Sequence, residues 1–386
     1  MPHIKVEKFD TQLIETLDDI VVFRAIVLNS DDELFAINYK NEEFLLHLKK
    51  TDNNYMIKYD KITRPLKVEL LKEAISQIAT RLNLKILSSN IQNKNPKGSI
   101  SSKYLKKIKD FESINFSKKR VSIEVGFGSG KHILYQANQN RDKLYIGIEI
   151  HTPSAQQLLN QIDIQQLDNI WVVNYDARLL LEMIPSNILD EIFVHFPIPW
   201  DKKPHRRVIS KSFLDESIRV LKVDGKLELR TDSNKYFWYS LDTFLSYPKI
   251  MVNIKKNEDL PVISKYEARW RRQEKDIYDV SVISQAISDD RDNIYDFSFK
   301  DISFNSELIN TLPKETIIED QFFIHFERTY TIKDNMLLVK CAFGSFDRPE
   351  HKYILIAKES RYLSSTPVST LTNYKAHQKL QEYLDV

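Results

Sequence analysis

The chain has 386 residues, 42% of them apolar and 28% charged, with 56 Lys and Arg against 54 Asp and Glu. At ~100–200 residues per domain this predicts two or three globular domains and excludes a fibre or a disordered chain. The single cysteine, Cys341, excludes an internal disulfide, a thiolate zinc cluster and a CxxC redox centre, so no metal site is expected, and no run approaches the ~18 apolar residues of a membrane span.

Residues 1–8 lack the apolar core of a secretion signal, so a cytoplasmic location is expected. Residues 20–62 read as strands: 21–28 is β-rich, and Tyr55, Ile57 and Tyr59 alternate with more polar neighbours. Residues 66–82 switch to a helical period, with Leu70, Leu71, Ala74, Ile75, Ile78 and Leu82 on one stripe. The polar stretch 88–102, with Pro96-Lys97-Gly98, reads as a linker, which sets an N-terminal α+β accessory segment at 1–100.

Strand and helix alternate from 120 to 232. Strands are expected at 121–125, 144–149, 170–173, 191–194 and 226–229. Pro153 opens a helix that places Ala155, Leu158, Leu159 and Ile162 on one face. This order predicts an α/β domain at 103–285 built on a parallel, doubly wound sheet. Beyond 285 the pattern is β-rich again, giving a C-terminal accessory segment at 286–386. There Phe322, Ile324, Phe326, Arg328, Tyr330 and Ile332 are expected to share one face, before a turn at Lys333-Asp334-Asn335. Charge is uneven: residues 201–275 carry a net of +7 and residues 279–327 a net of −8. The basic stretch suits an anionic partner, although two solvated faces of opposite sign fit the charge alone equally well.

Glycine is scarce, seven in the whole chain, yet Gly126, Gly128 and Gly130 fall within five residues. A glycine-rich turn between a strand and its helix lets backbone approach a cofactor closely. Lys131 stands where a dinucleotide fingerprint needs its third glycine, and Glu124 lies two residues before the first. An acid there is poor for a pyrophosphate and suits a donor carrying an ammonium group, such as S-adenosylmethionine. Glu149, ending the second strand, is placed to accept from both ribose hydroxyls, and Asp176, after the third, from an adenine amino group. Each acid taken alone also fits a solvated strand end.

Residues 195–207 form a second block. Trp200 offers a face for stacking a base, and Lys202, Lys203, Arg206 and Arg207 can meet phosphates. A packing anchor and a solvated turn are the plainer alternatives. His195 reads as a satisfied strand-end histidine.

The segments Glu124-Val-Gly-Phe-Gly-Ser-Gly130, Ile148-Glu149-Ile-His151, Asp176-Ala177, Phe196-Pro-Ile-Pro-Trp200-Asp-Lys202-Lys-Pro-His-Arg206-Arg207, Arg230-Thr-Asp232, Ser264-Lys265-Tyr266-Glu267-x-Arg269 and Ile277-Tyr278-Asp279-Val280 occur in that order. Over residues 105–285 the chain resembles the bacterial tRNA (guanine-N7)-methyltransferases. That resemblance implies a Rossmann-like class I methyltransferase sheet and methyl transfer from S-adenosylmethionine to N7 of a variable-loop guanine in tRNA. By position it implies that Glu124, Glu149 and Asp176, with the glycine turn, bind the donor. It likewise implies that Lys202, Asp232 and Ser264, Lys265, Tyr266 and Glu267 bind the guanosine. One residue departs: Ile198 stands where the family carries an acid between its two prolines, which leaves Asp201 and Asp232 to hold the guanine edge. Two other readings stay open: a catalytically impaired tRNA-binding homologue, and the same fold acting on another RNA or a protein. The oligomeric state is not set by the sequence.

Overall fold

A computed structural model describes residues 2–27, 32–51, 53–65, 68–91, 103–116, 120–263, 265–291, 295–300, 302, 304–333 and 335–385. Ser264, Asp334 and the Pro96-Lys97-Gly98 part of the expected linker lie outside them. The chain divides into two units, one of Ile100–Ile294 with Val368–Thr370, the other of Met1–Ser99, Tyr295–Pro367 and Leu371–Val386.

Among the described residues the first unit holds eight strands: β1 (Leu105–Lys106), β2 (Arg120–Val125), β3 (Lys143–Ile148), β4 (Ile170–Val173), β5 (Leu189–His195), β6 (Leu221–Thr231), β7 (Ile250–Lys256) and β8 (Tyr278–Ser284). Their order is β7-β8-β6-β5-β2-β3-β4-β1. All neighbours are parallel except β8, which runs against both β6 and β7. Strand order reverses between β2 and β5, so the turn leaving β2 opens at the switch point where such sheets bind ligands.

The sequence explains these elements locally. Val121 to Val125 are all buried, as a central parallel strand covered on both faces requires. Helix α1 (Lys131–Gln139) buries Ile133, Leu134 and Ala137. Helix α2 (Thr152–Ile164) buries Ala155, Leu158, Leu159 and Ile162, with Pro153 in its first turn; each larger side chain so buried is worth about 1.5–3 kcal/mol over exposure. Helix α3 (Ala177–Met183) is capped by the Asp176 carboxylate. Ser210 and Ser233 cap α4 (Lys211–Val220) and α5 (Asn234–Leu245) in the same way, each accepting from a backbone N–H of the first turn. Helix α6 (Lys265–Arg272) follows β7. Among the described residues no helix is long and apolar enough to cross a membrane.

The second unit joins the N- and C-terminal segments in one sheet, of eleven strands among the described residues. The seam is the antiparallel pairing of Val21–Val27 with Phe323–Ile332, in the register Tyr330 to Val27 and Ile332 to Ala25. On the N-terminal side, helix Val68–Arg81 packs Leu71, Ala74, Ile75 and Ile78 onto Ile4, Val6, Phe35, Ile37, Leu46 and Ile57. On the C-terminal side, helix Leu371–Leu384 packs Ala376, Leu380 and Leu384 with Ile324, Val339, Cys341 and Phe343. The single apolar face expected for residues 322–332 is corrected here. The register slips between Phe326 and Arg328, and a one-residue bulge turns every later side chain over. Ile324 and Phe326 therefore join one core, whereas Tyr330 and Ile332 join another with Leu338 and Tyr353.

Candidate active site

Gly126, Gly128 and Gly130 all adopt left-handed φ angles, of 68°, 53° and 72°. Gly126 N–H donates to the Ile148 carbonyl at 2.8 Å and Gly130 N–H to that of Phe127 at 2.8 Å, closing a compact turn. A Cβ added at Gly126 or Gly128 would meet nothing within 4 Å, whereas at Gly130 it would come to 2.7 Å from Leu158 Cδ1. The first two glycines thus border open space, and the third lets α1 and α2 pack closely. That space is a cavity of about 560 Å³, lined by Glu124, Gly126, Gly128, His132, His195 and Phe196 among others. Its lining combines bare backbone at the turn with two buried acids, Glu124 and Glu267.

The floor is charged. Glu124 is 4% exposed and lies 2.9 Å from His132 Nδ1. The His132 ring centre is 4.6 Å from that of His195 and 4.8 Å from that of Phe193. His195 Nε2 meets Glu228 at 2.9 Å, Lys226 bridges Glu228 at 3.0 Å and Glu191 at 3.4 Å, and Lys143 reaches Glu191 at 2.6 Å. Burial works against the charge on His132, but the Glu124 carboxylate, with Glu228 and Glu191 behind it, outweighs burial and raises its pKa. Burial likewise opposes ionisation of Glu228, and hydrogen bonds and charge from His195 and Lys226 hold its carboxyl well below the usual range. The expectation for His195, a satisfied strand-end residue, describes its Glu228 contact; its ring also forms part of the cavity wall.

Glu149 and Asp176 sit beyond the ends of β3 and β4, outside the residues that line the cavity. Glu149 Oε2 accepts from Gly128 N–H at 3.1 Å and Oε1 from His151 N–H at 2.9 Å. A carboxylate has about four lone-pair sites, so two remain for a ligand diol. Asp176 accepts from Arg178 N–H at 2.9 Å and from its guanidinium at 2.7 Å.

The loop leaving β5 carries two non-glycine residues in the left-handed region, Phe196 at φ 51° and Trp200 at φ 46°. Such backbone costs on the order of 1–3 kcal/mol and gathers at functional sites. Phe196 N–H is tied to the Arg230 carbonyl at 2.7 Å, and Ile198 at the bend is 62% exposed. Lys202, Lys203 and Arg206 are exposed, and the Arg206 guanidinium lies 5.3 Å from the Trp200 ring centre. Arg207, expected at a phosphate, is corrected by the structure. It is 7% exposed, donates to the Pro199 carbonyl at 2.7 Å and packs 4.3 Å from the Tyr239 ring centre, with Asp201 at 3.5 Å. It staples the loop and presents no free fork to a ligand.

Glu267, expected at the guanosine, is among the residues that line the cavity; it is 1% exposed and paired with Arg230 at 2.6 Å and Arg271 at 2.9 Å. Arg230, fully buried, also grips Asp279 at 2.6 Å and donates to the Glu258 carbonyl at 2.9 Å. This guanidinium anchors α6 to β6 and β8. Lys265 and Tyr266 fall in the first turn of α6, and Asp232 pairs with Lys275 at 3.0 Å. Arg269, which closes the Ser264-to-Arg269 motif, lines the cavity, as Lys131 does; sequence reasoning missed Arg272, three residues further along α6 and also in the lining. Its i, i+3 spacing from Arg269 was the available signal. An acid-and-glycine floor with a cationic rim can hold a cationic donor and bring a polyanion to it.

A parallel sheet of this strand order, with its antiparallel β8 and a glycine turn after the central strand, defines a class I methyltransferase fold. The chain matches a family described as putative methyltransferase over residues 118–280. It is 39% identical over 365 residues to the tRNA (guanine-N(7)-)-methyltransferase of Wolinella succinogenes, covering 93% of this chain and 92% of that one. The enzyme of the same name from Campylobacter jejuni strain 81-176 is 37% identical over 391 residues, covering 100% and 99%. That of Helicobacter acinonychis strain Sheeba is 41% identical over 352 residues, covering 90% and 87%. The chain belongs to this tRNA (guanine-N(7)-)-methyltransferase family.

Proposed function

We propose that the chain methylates N7 of a variable-loop guanine in tRNA, with S-adenosylmethionine as donor. The observation that carries the reading is the cavity itself, with Glu124 and two open glycines at its floor and Lys131, Arg269 and Arg272 at its rim. When bound, the donor supplies an electrophilic methyl on a sulfonium. Glu124 offers a buried carboxylate for the donor ammonium, Glu149 keeps two lone-pair sites for the ribose diol, and Asp176 stands at the adenine end. Lys202 and Arg206 meet tRNA phosphates, Trp200 stacks a base, and Lys265, Tyr266 and Asp232 hold the guanosine. This work on tRNA belongs to the cytoplasm.

Ile198 does not remove the chemistry. N7 of guanine carries a lone pair and no proton, so its attack needs no general base. In-line positioning can supply ~7–11 kcal/mol of the barrier reduction. A carboxylate on the guanine edge, from Asp232 or Asp201, accepts from N1–H and the exocyclic amine and favours the cationic product.

The test is methyl transfer from labelled donor to unmodified bulk tRNA, followed by nucleoside analysis. Label in 7-methylguanosine is the expected result. Donor and tRNA binding without product would assign the chain to the impaired tRNA-binding reading, with Ile198 as the lesion. Label only in another RNA or in protein would assign it to the other.

A further inference from the structure

In the second unit, strands His3–Val6, Asn54–Tyr59 and Glu42–Thr51 turn Ile4, Val6, Ile57, Leu46 and Leu48 toward helix Val68–Arg81, where they are buried. Strict alternation sends His3, Lys5, Met56, Lys58, His47 and Lys49 to the opposite face. The register aligns them in two rows across the three strands: His3 beside Lys58 beside His47, and Lys5 beside Met56 beside Lys49. With strands ~4.8 Å apart and same-face residues ~6.8 Å apart, three lysines share a patch about 10 Å across.

No two of these lysines stand directly opposite, but Lys58 is the diagonal neighbour of both Lys5 and Lys49, within reach of long side chains, and neutralisation here is incomplete. Asp32 reaches Lys49 only at 3.9 Å and also pairs with Arg328 at 3.3 Å. Asp60, the other nearby acid, is buried and held by His47 at 2.9 Å and Tyr353 at 3.0 Å. Burial and the neighbouring charges of Lys49 and Lys61 lower the pKa of the Lys58 ammonium. These lysines gain from an external anion. The two rows carry no Phe, Tyr or Trp, and His47 is committed to Asp60, so the ladder suits phosphates spaced along a strand.

We propose that the face bearing Lys5, Lys49 and Lys58 is a second RNA contact, binding the phosphate backbone of tRNA without regard to sequence. This rests on the reading that tRNA is the substrate. The test is the full-length chain with Lys5→Glu, Lys49→Glu and Lys58→Glu together, compared with the parent in tRNA filter binding between about 50 and 200 mM salt. Losing three phosphate contacts should flatten the slope of log affinity against log salt by about two to three units. The KM for tRNA should rise at least about tenfold on the same counterion argument, with kcat at saturating tRNA and donor affinity unchanged. The triple Lys→Gln variant, which keeps the aliphatic stems, should flatten the slope equally and guards against a folding defect. Slopes and KM equal to the parent's in both variants would overturn the proposal. A parent that binds tRNA but makes no 7-methylguanosine would overturn the enzymatic reading alone, because the binding slopes still decide the role of this face.

Discussion

Arg230 is the residue whose replacement is predicted most sharply. Its guanidinium makes hydrogen bonds to Glu267 at 2.6 and 3.2 Å, to both oxygens of Asp279 at 2.6 Å and to the Glu258 carbonyl at 2.9 Å, with no solvent exposure. Arg230→Gln keeps an amide donor but leaves two buried carboxylates without their shared cation. Removing one partner of a buried pair costs about 3–5 kcal/mol, and Arg271, still on Glu267, keeps the loss from growing further. For a unit of this size each kcal/mol shifts Tm by about 2–4 °C, so a fall of about 6–20 °C is expected near neutral pH. The sign with pH follows from Asp279. Burial already raises its pKa with Arg230 present, and losing the cation raises it further. A raised folded pKa means the penalty is full above that pKa and shrinks as pH falls through it. Calorimetry at pH 7 and pH 5 should therefore show the gap between parent and variant narrowing in acid, and Asp279→Asn added to Arg230→Gln should recover part of it at pH 7. A gap below about 2 °C, or one that does not change with pH, would refute the anchor role.

Three further outcomes follow from the site. His132→Gln should remove one pH dependence. In the parent the Glu124–His132 pair contributes its full stability below about pH 6.5 and loses it as pH rises through the raised His132 pKa, so urea midpoints from pH 6 to 9 should fall in the parent and not in the variant; parallel profiles would deny the pairing. Charge reversal at Lys202 and Arg206 should flatten the salt slope of tRNA binding by about two units at unchanged Tm, whereas reversal at Arg207 should lower Tm, since it is buried against Tyr239; a pure affinity effect at Arg207 would show the staple to be dispensable. Asp232→Asn should reduce methyl transfer more than tRNA binding, and equal losses in both would remove it from the guanine edge.

The core of the site was legible because glycine leaves a mark that context cannot hide. Three left-handed positions in five residues demand glycine, and a chain with seven glycines shows the demand plainly. The acids at strand ends were legible for a similar reason, since alternation of strand and helix fixes where strands stop. Contacts across long separations were not. Arg206 and Arg207 are neighbours with identical side chains, yet a short turn leaves one exposed and drives the other onto Tyr239. Glu267 finds Arg230 from 37 residues away, so its motif position says nothing of its partner. The pairing of Thr331 with Ile26 that fuses the two flanks into one sheet is equally invisible in either segment alone. The slip between Phe326 and Arg328 defeated the period-2 pattern because both sides of the bulge are apolar in the same phase.

A tRNA prepared with 7-deazaguanine separates methyl transfer to guanine N7 from transfer to any other atom. Replacing N7 by a C–H group removes the lone pair and leaves the phosphates and the Watson–Crick edge in place. With labelled S-adenosylmethionine, transfer to N7 gives 7-methylguanosine in the ordinary transcript, no label in the 7-deaza transcript, and similar affinity for both. Label transferred equally to the 7-deaza transcript would place the methyl group on another atom.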